Sequence, residues 1–286
     1  MKGTPMQTIK GFLEKLPVLA GVLALALVLV ARPIPSHAGN LTIEGSTTVL
    51  PIAQIAIETY MKSHPEVKIS LSGGGSSNGI KALIDGTANI ATSSRFIKEA
   101  EVKLAIERGA YPVPFGIAYD CIVPVVHSSN PVKGFTLDQL KAVYEGKVKS
   151  WKELGGADKE IVVISRDTSS GTYETWEGKV LKGARVKPGA LLQASNGAVV
   201  QTVAKNKLAL GYVGVGYLDK SLKGLPVNGV MGSAQTTLNG TYPISRVLYM
   251  FTRGWPEGDT LNFINWMMHP QKGQKAVTAA KYVPLY

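Results

Sequence analysis

Short β-rich runs alternate with amphipathic helical stretches along this chain, and that rhythm restricts the fold more than any other feature of its 286 residues. Residues 41–44 and 67–72 read as strands, and residues 51–64 and 79–85 read as helices that follow them. A βαβα order makes neighbouring strands parallel, because a helix carries the chain back across the sheet before the next strand begins. In the first helical stretch Ile52, Ile55, Ala56, Thr59 and Tyr60 fall near helical spacing, and Pro51 suits a first-turn position. The rhythm resumes with a strand over 161–165, helical runs over 172–180 and 198–205, and a strand over 209–213. The last part returns to a strand over 246–252 and a helix over 260–269, with a closing run over 275–280.

The expected fold class is therefore α/β, with two lobes. If the closing segments complete the first lobe, the chain crosses between lobes twice, near 113–120 and 241–248. The expected division is 39–117 plus 245–286 for lobe 1 and 118–244 for lobe 2.

Residues 1–38 stand apart. Lys2, Lys10 and Lys15 accompany an apolar run over 16–31, and Ser36, His37 and Ala38 end it, the pattern of a secretory signal peptide cleaved after Ala38. The run is shorter than the roughly 20 apolar residues a membrane-spanning helix needs. A retained anchor is the competing reading. Without the leader, 27 Lys and Arg face 19 Asp and Glu, a net charge of +8 that favours anionic ligands or surfaces. The basic residues are scattered and lack aromatic interleaving, so no nucleic-acid partner is expected.

Cys121 is the only cysteine, which rules out a disulfide within the chain, and its apolar surroundings over 121–126 make it a small buried hydrophobe. His37, His64, His127 and His269 are far apart and show no ligand spacing, so neither a metal nor a cofactor is expected. Trp151, Trp176, Trp255 and Trp266 form no stacking pattern and read as core or lobe-surface anchors.

Three segments put glycines and small hydroxyl residues at strand-to-helix junctions: Gly45-Ser46-Thr47-Thr48, then residues 73–79 (GGGSSNG), then residues 166–172 (RDTSSGT). The first N–H groups of a helix lack intrahelical partners and lie at the positive end of its dipole, so such a junction holds an anion without needing a cationic side chain. Each loop alone is equally well an ordinary N-cap or turn. Together, with Arg166 on one of them, they point to a shared oxyanion site, since a guanidinium fork matches tetrahedral oxygens. No loop continues into Gly-Lys-Ser/Thr, and no G-x-S-x-G is present, which speaks against a nucleotide P-loop and a serine hydrolase.

The runs GSTTVLPIAQ, GGGSSNGIKALIDGTANIATSSR, ISRDTSSGTYETW, SNGAVVQTVAKNKLALGYVGVGYL, YPISRVLYMFT and AAKYVPL closely resemble the phosphate-binding proteins of ABC-type uptake systems. The resemblance covers essentially the whole chain after the leader. It implies a type II periplasmic-binding-protein fold, each lobe a mixed, mostly parallel sheet flanked by helices, with a two-stranded hinge and the ligand in the cleft. Carried over by position, it implies phosphate contacts from Thr47, Thr48 and the Val49 N–H, from Ser76 and Ser77, and from Arg166, Ser170, Gly171 and Thr172. Better-known relatives place an aspartate where this chain has Ser93-Ser94-Arg95, and that aspartate accepts the proton of hydrogen phosphate and so rejects sulfate. Here Ser94 would donate and Arg95 would add charge or form an inter-loop ion pair.

Asp120 or Asp167 is left to supply an acceptor, with a hinge hydrogen bond and the orientation of Arg166 as their respective structural roles. Ser195 and Asn196 read as a helix cap or a ligand contact. The resemblance further implies a monomeric, periplasmic receptor without catalytic residues that delivers inorganic phosphate to an ABC transporter permease. A sulfate-type receptor, an exported phosphohydrolase using the same cleft, and a phosphate-responsive sensory protein are the competing readings.

Overall fold

The computed structural model describes residues 39–286, so the signal-peptide and cleavage expectations for residues 1–38 lie outside the described residues. The chain begins with β1 (Asn40–Gly45), α1 (Leu50–Ser63), β2 (Lys68–Gly73), α2 (Ser76–Asp85), β3 (Ile90–Ser93) and α3 (Glu99–Glu107). It continues through β4 (Val113–His127), α4 (Leu137–Glu145), β5 (Val162–Arg166), α5 (Gly171–Trp176), β6 (Leu191–Gln193), α6 (Asn196–Lys205) and β7 (Ala209–Gly214). It closes with β8 (Leu222–Gly224), α7 (Ala234–Leu238), β9 (Ser245–Thr252), α8 (Gly258–Met268) and α9 (Gly273–Ala279). None of the described helices is long and apolar enough to cross a membrane.

The strands join edge to edge in the order β2-β1-β3-β9-β4-β7-β5-β6, with β8 also on β4. Pairing is parallel within the outer part of each lobe, where β1 lies between β2 and β3 and β5 lies between β6 and β7. It is antiparallel wherever β4 or β9 takes part, a larger antiparallel share than the βαβα reading suggests. The reason is that β4 and β9 are long connecting strands, not members of a βαβ unit. β4 pairs with β9 from Val113 opposite Thr252 to Cys121 opposite Ser245, and then with β7 from Ile122 onward. A break in register between Gly116 and Ala118 bends the pair. The two crossings between lobes are thus neighbouring antiparallel strands, a two-stranded hinge.

Each lobe has its own apolar packing on both faces of its sheet. In lobe 1, Ile52, Ala53, Ala56 and Tyr60 of α1 meet Phe263, Trp266 and Val277 of α8 and α9, while Ile80, Leu83 and Ile84 of α2 cover the other face with Phe251. In lobe 2 the indole of Trp176 stacks on Tyr212 at 4.2 Å between ring centroids, beside Tyr144, and Val199 and Val203 of α6 pack on Ile164 and Val213. Trp151, Trp176 and Trp266 are buried anchors as expected, whereas Trp255 is exposed. Cys121 is buried, and burial, aided by the nearby Asp120 charge, pushes its thiol up to about 12, where it is inert at neutral pH.

The helix expected over 172–180 is α-helical only through Trp176 and then widens into a π turn over Glu177–Leu181. That wider turn carries Val180 and Leu181 into the same core as Trp176.

Candidate functional site

The carboxyl ends of β1, β2 and β5 lead into the three glycine and hydroxyl loops, two from lobe 1 and one from lobe 2, and the fold brings all three together. At the first, the Ser46 hydroxyl accepts the N–H groups of Thr48 (3.1 Å) and, more weakly, Val49 (3.4 Å), which ties down the turn that leads into α1. This turns the Thr47 and Thr48 side chains toward lobe 2, and both are buried.

The hydroxyls of Thr48 and Thr172, from opposite lobes, lie 2.8 Å apart. Arg246 of β9 sits over them, its Nη2 donating to Thr172 Oγ1 at 3.0 Å and to Thr48 Oγ1 at 3.3 Å. From lobe 2 the Asn196 amide donates to the hydroxyls of Thr47 and Thr48, both at 3.1 Å. Arg166 Nη2 approaches Thr47 Oγ1 at 3.4 Å, while the Gln193 and Ala194 carbonyls hold its Nε and Nη2. Its Nη1 is buried with no hydrogen-bond partner. Burial pulls the Arg166 guanidinium below its ordinary pKa.

Ser76 and Ser94 are fully buried beside this cluster, with Ser94 N donating to Ser76 Oγ at 3.1 Å. Their closeness to lobe 2 depends on Gly171. A Cβ at that position would stand 2.5 Å from Ser76 Oγ and 2.8 Å from Ser94 Oγ, so only glycine lets this part of lobe 2 close on lobe 1. Gly171→Ala is therefore expected to weaken anion binding by roughly 10-fold or more, the cost of overpacking a tight contact, while the thermal midpoint of the unliganded protein stays within about 2 °C of wild type. Titration calorimetry and thermal unfolding on the same preparation check this.

The expected site residues fall into two groups. Thr47, Thr48, Ser76, Ser94, Arg166, Gly171 and Thr172 converge, while the Val49 N–H, at the start of α1, is turned onto Ser46 Oγ. The Ser170 hydroxyl instead caps α5, accepting from Tyr173 N at 3.2 Å. Ser77 and Arg95 lie at the rim, with Arg95 in the inter-loop ion pair that was its alternative role. Arg95 forms a two-pronged pair with Glu101 and an ion pair with Glu174, and Ser77 donates to Glu174, so both are spent on carboxylates at the rim. Glu101 lies on the first turn of α3, one loop away, which puts its carboxylate within reach of the guanidinium.

Asp120 is fully buried, and both its oxygens are taken, Oδ2 by Arg246 (2.7 and 2.8 Å) and Oδ1 by Val215 N (3.0 Å). It is the structural partner of Arg246, not a free acceptor. Asp167 differs. Its Oδ1 accepts from Ser169, while its Oδ2 is buried without a partner, 3.9 Å from Arg166 Nη2. Ser195 is a plain cap, accepting from Ala198 N at 3.0 Å, and the adjacent Asn196 makes the inter-lobe contacts.

Sequence reasoning missed Arg246. The available signal was a lone arginine in the otherwise apolar run of β9, since a charge in a buried strand needs a partner and Asp120 faces it in register. Among the described residues no cluster of His, Cys, Asp or Glu could hold a metal ion.

Two α/β lobes on a two-stranded hinge, with buried cations and hydroxyls gathered between them, define a periplasmic-binding-protein architecture, and residues 31–271 match the family model described as PBP superfamily domain. The chain is 32% identical over 248 residues to Phosphate-binding protein PstS of Bacillus subtilis (strain 168), covering 86% of this chain and 81% of that protein. It is 32% identical over 270 residues to Phosphate-binding protein PstS of Pseudomonas aeruginosa PAO1, covering 86% and 83%. A substrate-binding protein from Clostridium perfringens, assigned to a phosphate ABC transporter and crystallised with bound phosphate, superposes with a TM-score of 0.81 at 31% identity, covering 87% of this chain and 100% of that one. An ABC-type phosphate transport receptor from Vibrio cholerae superposes with a TM-score of 0.69 at 31% identity, covering 85% and 99%. The chain belongs to the phosphate-binding protein family of the periplasmic-binding-protein superfamily.

Proposed function

We propose that this protein captures inorganic phosphate in the cleft between its lobes and delivers it, outside the cytoplasmic membrane, to the permease of an ABC-type transporter. The observation that carries the reading is the inter-lobe cluster itself, in which Thr48, Thr172 and Asn196 meet under Arg246 while Arg166 Nη1 is buried without a partner. Donors from both lobes converge where a tetrahedral anion would bridge them, so ligand binding favours the closed arrangement by its differential affinity alone. The names and bound ligand of the relatives support phosphate as that anion. No chemistry is required of the site. His64, His127 and His269 hydrogen-bond only to their own neighbourhoods, which leaves a phosphohydrolase without a histidine base or nucleophile in the cleft.

Selectivity over sulfate then needs an acceptor for the phosphate proton, and we assign it to Asp167 Oδ2, the carboxylate oxygen beside Arg166 left unpartnered. Leaving that acceptor unmatched is what sulfate would do, at a cost near the low end of about 1 to 3 kcal/mol because the Asp167 side chain is 34% exposed. Calorimetric competition at neutral pH among phosphate, sulfate, arsenate and molybdate tests both steps. Phosphate and arsenate are expected to bind in preference to sulfate, and Asp167→Asn is expected to narrow the phosphate-to-sulfate ratio by roughly 5-fold or more. Tight sulfate binding with weak phosphate binding would convert the protein into a sulfate-type receptor. Delivery is tested by phosphate uptake into vesicles carrying the permease and ATPase of an ABC-type phosphate transporter from the same organism, which is expected to require the protein.

A further inference from the structure

At the rim of the cleft, away from the buried anion cluster, four charged side chains form one inter-lobe network. Glu174 projects from α5 of lobe 2. Its Oε2 lies 2.7 Å from Arg95 Nε and 2.8 Å from Lys98 Nζ, both on the loop between β3 and α3 of lobe 1, and its Oε1 accepts from Ser77 Oγ at 3.1 Å. Lobe 1 has the receiving half ready. The other edge of the Arg95 guanidinium is held by Glu101, with Nη2 to Oε1 at 2.6 Å and Nη1 to Oε2 at 2.8 Å, and Phe96 O accepts from Nη1 at 2.9 Å. Glu101 is fixed in turn by accepting Lys98 N at 2.8 Å. The Arg95 and Glu174 side chains are 7% and 12% exposed, so little water screens the pair.

From this geometry we propose that Glu174 is an affinity-setting positioning residue, a carboxylate latch that never touches the anion but holds the lobes shut around it. The assignment rests on the phosphate-capture reading for its function, though its geometry does not depend on it. Glu174 follows the ligand-facing Thr172 by two residues on the same short helix, so α5 engages the anion cluster and the latch in a single movement. Two cations and two carboxylates balance in the network, so the latch adds no net charge to repel or attract the anion. Ser77 N donating to Ser169 O at 3.1 Å continues the same seam, so the latch closes an edge already joined by backbone. A residue that acts only in the closed state governs escape more than capture, because diffusional encounter precedes closure.

Stopped-flow phosphate binding is the first test. Glu174→Gln is expected to accelerate phosphate release by roughly 10- to 100-fold, with the association rate changed by less than about 3-fold, as for truncation of one partner of a buried charge pair. Arg95→Gln in the Glu174→Gln background is expected to add less than it costs alone, the signature of coupling. Equal release rates in wild type and Glu174→Gln would overturn the proposal.

A second measurement needs no phosphate. With fluorophores at K62C in lobe 1 and K133C in lobe 2, Glu174→Gln is expected to shift the ligand-free inter-lobe distance toward the open form. An unchanged distance would sink the latch even if phosphate binds, and a shift in a protein that binds no phosphate would sustain the latch while removing the phosphate reading.

Discussion

Arg166→Ala is expected to raise the phosphate dissociation constant by roughly 30- to 5,000-fold, because truncating one partner of a buried charge-assisted contact costs about 2 to 5 kcal/mol. The guanidinium is held by the Gln193 and Ala194 carbonyls on one edge, and its Nη1 is buried without a partner, so the bond it offers an anion is already oriented. Replacing it leaves Arg246, already paired with Asp120, and hydroxyl and amide groups, which donate to a phosphate oxygen with about half the strength of a charged donor. Calorimetry on a preparation whose far-ultraviolet circular dichroism matches wild type separates lost binding from lost fold. Thr172→Val should follow in the same direction with a smaller effect. Unchanged affinity in both variants would remove the site from this cleft.

Arg246→Met is expected to give the largest loss of stability, about 3 to 5 kcal/mol, which for a chain of this size lowers the thermal midpoint by roughly 10 °C. The cause lies on the hinge. Asp120 is fully buried, and Arg246 supplies two of its three hydrogen bonds, so removing the arginine strands a carboxylate in the core. Burial already raises the Asp120 pKa, and loss of the opposing guanidinium raises it further. A carboxyl whose folded pKa lies above its unfolded value binds its proton more tightly when folded. The variant's deficit is therefore greatest at neutral pH and above, and shrinks as pH falls through the raised pKa. Adding Asp120→Leu should restore most of the stability, since an apolar pair of similar size removes the unpaired charge. It should not restore phosphate affinity, because the Arg246 donors to Thr48 and Thr172 remain absent. Thermal unfolding across pH, set beside calorimetry of the double variant, checks both statements.

The strand-to-helix loops were legible because their chemistry is local. Glycine, hydroxyl residues and a helix start within a few positions present N–H groups and short donors whatever surrounds them, so the three loops could be named from sequence, while the choice of Thr47, Thr48, Ser76, Gly171 and Thr172 within them came from the family resemblance. Arg166 was legible for the same reason, standing at the end of a strand and at the head of such a loop. Ser77 and Arg95 sit in equally suggestive runs, but local pattern does not say which way a side chain turns. Glu101, one loop away, claims Arg95, and Glu174 from the facing lobe claims both of them.

The α/β rhythm and the loops that start the site helices were readable along the chain, because short-range propensity and periodicity set these. Only the tertiary structure decided how the lobes answer each other. Arg246 meets Asp120 across 126 positions of chain, Asn196 reaches Thr48 across 148, and Glu174 closes on Arg95 from the opposite lobe. Hinge-strand register and inter-lobe packing select those partners, and neither is encoded in any window short enough to be read as a motif.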